Sequence, residues 1–181
     1  IGVQSLRRRH LEFLGRLHDG PGALTALGEV RAAGARRVNA DVLFGMPGQD
    51  PPELVEDLDA LIETGVDHLS VYSLTIEPKT PFGEQARQGR VLLTDESTEI
   101  ALYEAARRTL GAAGFEHYEI SNYCRPDSHS RHNEHYWAAG DYVGLCCGAA
   151  GAWAADGTGV RYKNDPDAAR YLRGVEPVTE R

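Results

Sequence analysis

Sulfur is scarce in this sequence, with one methionine and three cysteines among 181 residues. The cysteines, Cys124, Cys146 and Cys147, are odd in number and two are adjacent, so no disulfide framework follows and reduced thiols are expected. Their separations of 22 and 1 do not match the closely spaced thiolates that hold an iron–sulfur cluster. No apolar run approaches the roughly 20 residues of a membrane-crossing helix. No leader with a basic start and an apolar centre is expected. A cytoplasmic place without a membrane span is the expectation. Positive charge is also short, with 19 Lys and Arg against 27 Asp and Glu and a net charge of -8. That balance argues against nucleic acid as a partner, and the run Arg7-Arg8-Arg9 is too short to reverse it.

What is present reads as ordinary globular protein, 41% hydrophobic and 25% charged. The chain opens on an apolar strand end at residues 1–4, so Ile1 is not expected to be a natural start. Residues 21–33 place Leu24, Leu27 and Val30 at helical spacing and stop at Gly34. Residues 37–44 read as a strand broken by the turn Gly45-Met46-Pro47-Gly48. An amphipathic helix at 52–64 aligns Leu54, Leu58, Leu61 and Ile62, and a third strand follows at 68–76. This repetition predicts βαβ units and a parallel sheet.

After Pro78 the rhythm changes. A helix is predicted at 95–113 with Ile100, Tyr103, Ala106 and Leu110 on one stripe, then a strand at 115–120. A polar, histidine-rich stretch covers 121–142, with short strands at 141–145 and 160–163 and a last helix at 166–172. No linker or repeat intervenes. The expectation is a single domain over 1–181, with βα units to about residue 114 and an extension from about 115.

In parallel α/β folds the carboxyl ends of strands build the site. Gln4, Asp41, Ser73 and Thr75 fall at or near such ends. Asp41 lies among Val38, Val42, Leu43 and Phe44, where an unpaired carboxylate is costly and must face a ligand or a donor. The plainer alternative is local capping on a strand whose residues alternate faces. Cys124, His129, His132 and His135 match no standard zinc spacing. Tyr136 and Trp137 read first as core or rim aromatics. Glu53, Glu56, Asp57 and Asp59 read as a solvated helix face.

Five blocks carry a resemblance: GVQS at 2–5, NADVLFGMPGQ at 39–49, YSLTIEP at 72–78, GFEHYEISNY at 114–123 and HNEHYW at 132–137. In order and spacing they resemble the oxygen-independent coproporphyrinogen oxidase and heme chaperone family of radical S-adenosylmethionine proteins. The YSLTIEP and HNEHYW blocks look more like its heme chaperone branch.

The resemblance implies an α/β fold: the second half of a partial (β/α)₆ TIM-like barrel, with additional C-terminal strands and helices. It implies S-adenosylmethionine and a [4Fe–4S] cluster as cofactors, and a heme chaperone that delivers heme to acceptor proteins. The alternative is a radical oxidoreductase acting on coproporphyrinogen III. By motif match, Gln4, Arg16, Asp41, Thr75 and Ala150 fall on positions that line S-adenosylmethionine. Arg16 matches an arginine that approaches the ligand's carboxylate. His132 and then His135 are the candidate heme ligands, since imidazole is a good axial ligand. The cluster's three-cysteine motif belongs upstream of Ile1, so these 181 residues alone are expected to do no radical chemistry. Relatives commonly carry glycine where Cys146 stands and histidine where Ala150 stands. The first difference adds a side chain at a tight backbone position.

Overall fold

The computed structural model describes residues 1–78, 80–91, 94–155 and 158–180. It divides into two compact units, Ile1–His129 and Ser130–Arg181. The first unit runs β1 (Gly2–Gln4), α1 (Arg8–Phe13), α2 (Gly20–Ala32), β2 (Asn39–Phe44), α3 (Pro51–Glu63), β3 (His68–Ser73), α4 (Pro81–Arg87), α5 (Glu96–Ala112), β4 (Glu116–Glu119) and β5 (Asn122–Cys124). The strands form one sheet in the order β1-β2-β3-β5-β4.

The first three strands are parallel, as the βαβ rhythm predicts. The last two are not: β5 runs antiparallel to both β3 and β4. Only two residues separate β4 from β5, and so short a connection joins antiparallel neighbours. The chain is therefore a mixed α/β fold with a hairpin on the sheet's far side.

The helices begin where side chains satisfy free backbone N–H groups. Asp19 accepts from Gly22 N before α2, and Asp50 and Glu53 form a reciprocal capping box at α3. Asp95 caps α5, and bonds from Ser97 and Thr98 hold its carboxyl down at about 2. On α3 the spacing 54, 57, 58, 61 makes one stripe, and Leu54, Leu58 and Leu61 are fully buried on it. Each Leu→Ala change there costs about 2–5 kcal/mol. Val3, Ala40, Val42, Phe44, Leu69 and Val71 supply the sheet's side of the core.

Three sequence expectations need correction. Asp57 lies inside the apolar stripe and is 3% exposed, so the acids of α3 are not all solvated. It accepts from Ser5 Oγ at 2.8 Å and Leu6 N at 3.0 Å, with Arg7 Nε 3.3 Å from its other oxygen. This clasp fastens the end of β1 to α3. On α5 the buried residues are Leu102, Ala105, Ala106 and Leu110, whereas Ile100 is exposed. Val30 of α2 is likewise turned outward.

The second unit holds α6 (Arg131–Trp137), an antiparallel sheet of β6 (Ala150–Ala155), β7 (Thr158–Lys163) and β8 (Val178–Glu180), and α7 (Ala168–Leu172). The strand expected at 141–145 is a single bridge between Tyr142 and Ala152. Among the described residues, no helix is long and apolar enough to cross a membrane.

Candidate functional site

Strand residues alternate faces, so a strand with one face in the core presents every second residue to the other side. In β2 the core face is Ala40, Val42 and Phe44, which leaves Asn39, Asp41 and Leu43 opposite. Register carries that second face across the sheet: Asn39 pairs with His68, Asp41 with Ser70, and these with Cys124 and Asn122. The face is polar and its groups bind one another. Asn39 Nδ2 donates to Asp41 Oδ1 at 2.7 Å, and Asn39 Oδ1 meets His68 Nδ1 at 2.7 Å. Ser70 Oγ lies 3.3 Å from Asn39 Oδ1 and 3.1 Å from Asn122 Oδ1. Asn122 Nδ2 donates to Glu119 Oε2 at 2.6 Å.

This network fixes the proton on His68. The Asn39 amide gives its N–H to Asp41, so its oxygen must accept, and His68 Nδ1 must donate. His68 Nε2 then accepts from the Tyr118 hydroxyl at 2.6 Å. Burial pushes the imidazole below its ordinary value, although the nearby Asp41 carboxylate works against that shift. His68 is thus a neutral, oriented hydrogen-bonding group. On Glu119 burial acts upward, but the Ser121 N–H and the Asn122 amide outweigh it and hold the carboxyl below its usual range.

Asp41 sits half-buried on this face. Its Oδ2 carries no protein hydrogen bond among the described residues, so it is available to a ligand hydroxyl or amide. Gln4 ends the neighbouring strand in the left-handed region at φ 66°. Its amide folds back over Gly2, where a Cβ would come within 2.7 Å of Nε2, and Gly2 is the register partner of Asp41. The two residues therefore occupy adjacent strands, with the Gln4 amide beside the partner of Asp41.

The carboxyl ends of β2 and β3 are tied by side chains. The turn after β2 needs Gly45 at φ 82°, and buried Gln49 Oε1 accepts from Gly45 N at 2.8 Å. Ser73 Oγ donates to Glu99 beside a cavity of about 370 Å³ that Phe44, Tyr103 and Ser121 also line. Thr75 is exposed after β3 and lines a separate cavity of about 240 Å³ with Leu14 and Phe82. Phe82 meets Phe13 edge to face at 5.2 Å. Arg16, two residues beyond Leu14, is exposed on the turn after α1 and is not among the residues lining that cavity.

In the second unit, α6 carries the histidines. His135 Nε2 is 2.7 Å from the Asp141 carbonyl and its ring packs on Gly140, so it anchors the following turn. His132 is exposed, with its ring edge-on to Tyr136 at 4.7 Å and no protein hydrogen bond to either nitrogen among the described residues. Tyr136 also meets Tyr142 at 4.5 Å, beside a cavity of about 500 Å³ lined further by Trp153 and Arg161. Ala150 opens β6 and lines another cavity, about 490 Å³, with Arg161, Lys163 and Arg170. Cys146 holds a left-handed backbone at φ 78°, a conformation that suits glycine better than a residue with a Cβ.

His68, Ser70, Asn122 and Asn39 were not singled out from sequence. The signal was present in the alternation of His68, Ser70 and Tyr72 with Leu69 and Val71, which marks a strand with one polar face.

No family model matches the chain. Curated proteins do. It is 39% identical over 151 residues to heme chaperone HemW of Mycobacterium tuberculosis (strain CDC 1551 / Oshkosh), covering 83% of this chain and 39% of that protein. It is 38% identical over 159 residues to mitochondrial radical S-adenosyl methionine domain-containing protein 1 of Mus musculus, covering 88% of this chain and 36% of that one. Among solved structures, the coproporphyrinogen III oxidase HemN from Escherichia coli, a radical SAM enzyme, matches with a TM-score of 0.74 at 18% identity. That match covers 95% of this chain and 41% of the other, and it shows the shared fold. The chain spans about two fifths of the length of the relatives it matches. Over that span, the chain is similar in sequence to the radical SAM proteins of the heme chaperone HemW kind, and it shares its fold with HemN.

Proposed function

We propose that this chain is part of a heme-binding chaperone that delivers heme to acceptor proteins in the cytoplasm. The observation that carries the reading is the likeness to proteins named heme chaperone HemW, which runs over 151 residues and so beyond the 129 of the first unit. The polar face, the first unit's βαβ order and the HemN-like fold support a partial (β/α)₆ barrel with that face inward.

In this reading S-adenosylmethionine lies against the polar face. Asp41 Oδ2 accepts from ribose hydroxyls, the Gln4 amide binds the same ligand, and the Arg16 guanidinium pairs with its carboxylate. Thr75 takes the adenine end. Two features support this reading: the Asp41 carboxylate is oriented by its bond from Asn39, and the Gln4 amide lies over Gly2 on the neighbouring strand. A [4Fe–4S] cluster needs several convergent thiolates, and adjacent Cys146 and Cys147 with Cys124 do not provide them. No residue of this chain is assigned to it.

Heme is assigned to His132. Its ring nitrogens are free of protein hydrogen bonds among the described residues, while His135 is engaged by Asp141, and Tyr136 offers an aromatic flank. The test is a heme titration of the protein followed in the Soret band, with His132→Ala and His135→Ala. The expected result is a changed band and weaker binding for His132→Ala, with His135→Ala retaining the wild-type band. An unchanged spectrum and affinity for His132→Ala would remove the assignment. Decarboxylation of coproporphyrinogen III by the protein, without heme binding, would overturn the chaperone reading in favour of the oxidase.

A further inference from the structure

At the far side of the first unit's sheet, three side chains of different chemistry converge. Glu116 of β4 and Cys124 of β5 are direct register partners, so their side chains leave the sheet on the same face. His129 comes from the turn that follows β5. One ligand atom from each residue lies within 4.8 Å of the other two, and His129 Nε2 is 3.6 Å from Glu116 Oε2. We propose that Glu116, Cys124 and His129 form a binding site for a divalent transition-metal ion of the zinc type.

The donor set suits such an ion. Thiolate, imidazole and carboxylate are the three protein ligands zinc takes, at roughly 2.0–2.3 Å. Two ligands at those lengths on a tetrahedron stand roughly 3.3–3.8 Å apart. The histidine–carboxylate separation is already there, and the remaining pairs close by about 1.5 Å at most. Cys124 is fully buried and fixed in its strand, whereas Glu116 is exposed and His129 half-exposed, so the ion enters from their side. Three protein ligands leave a fourth position for water or another group.

The surroundings hold the site in shape. The His129 ring stacks on Tyr118 at 4.2 Å with the planes 10° apart, and the Tyr118 hydroxyl bonds His68 in the polar network. The turn that returns His129 over the sheet is tethered by Arg37, whose Nη2 donates to the Asp127 carbonyl at 2.6 Å. Arg125 N donates to the Asp67 carbonyl at 2.8 Å, and Asp127 takes the left-handed conformation at φ 61°. Orientation of a ligating histidine by its neighbours is the usual support of a metal centre. Sequence spacing hides the site because Glu116 reaches it only through strand pairing.

Cobalt(II) reports the site directly, since a thiolate ligand gives a sulfur-to-cobalt charge-transfer band. The protein is titrated with cobalt(II) in a Cys146→Ser/Cys147→Ser background, which removes the exposed thiols. The expected result is a charge-transfer band saturating at a single ion per chain and bleached by zinc. Cys124→Ser should abolish the band, and His129→Ala and Glu116→Gln should each weaken binding by about tenfold or more. Circular dichroism checks the fold of Cys124→Ser, and the other two changes sit at partly exposed positions and keep the test decisive. Absence of the band in the background protein would overturn the proposal, as would wild-type affinity in His129→Ala.

Discussion

Replacing Asn39 by Ala tests whether the polar face is a single hydrogen-bonded structure. Asn39 joins Asp41, His68 and Ser70, and the substitution deletes all three contacts while sparing the strand's core face. Asp41 is half-buried and regains water, so the loss there is about 1 kcal/mol rather than the fuller value of a charge-assisted bond. His68 is 6% exposed, and its orphaned Nδ1–H costs a further ~1–3 kcal/mol. The bond from Ser70 is long and adds little. The sum is a destabilisation of about 2–4 kcal/mol. With a urea slope of about 2 kcal/mol/M, the midpoint should fall by about 1–2 M. The assay is urea unfolding at pH 7.5 followed by circular dichroism. A midpoint shift too small to correspond to about 1 kcal/mol would show that water, rather than Asn39, satisfies the face.

Asp57→Ala should cost about 3–5 kcal/mol, because the Ser5 hydroxyl and Leu6 N–H lose a buried acceptor and Arg7 loses a nearby charge; thermal unfolding reads the loss. Stability should also fall with acidification. Burial lowers the values of both His10 and His68, so the unfolded chain binds their protons more tightly. Their contribution is complete above about 6.5 and is lost as the pH drops through the folded-state values; urea midpoints in wild type and His68→Gln should show the smaller pH dependence in the variant. Cys146→Gly should stabilise the protein by about 1 kcal/mol by relieving a left-handed backbone, and a lower melting temperature would contradict the strain.

The repeating half of the first unit was legible because its signals are local. Leu24 and Leu27 recur at helical spacing before Gly34; Leu54, Leu58 and Leu61 do the same on α3, and β2 alternates over six residues. Asp41 was legible as an acid in need of a partner, and the partner proved to be Asn39, two residues away on the same face. The hairpin partner β5 was missed because three residues carry no readable period, and Asn122 acquires meaning only when paired with Ser70 of β3. Short helices such as α1 and α4 were missed for the same reason. Asp57 was misjudged because its charge outweighed its position, although the interval from Leu54 already placed it in the stripe. For His132 and His135 the spacing gave a shared helix, but only the turn at Gly140 and Asp141 separates a free ring from an anchoring one.

The sheet order has a consequence for how the protein meets copies of itself. A sheet edge is a row of unsatisfied donors and acceptors, and a long flat one recruits strands from other molecules. Strand β4 lies at one edge and is only four residues long, with Glu116 and Glu119 at its ends and a register irregularity between His117 and Glu119. A foreign strand approaching it meets two carboxylates and a kinked ladder instead of a continuous template. The hairpin that turns the chain back beside β3 thus also terminates the sheet, and a change such as Glu119→Val would remove part of that guard against strand-to-strand aggregation.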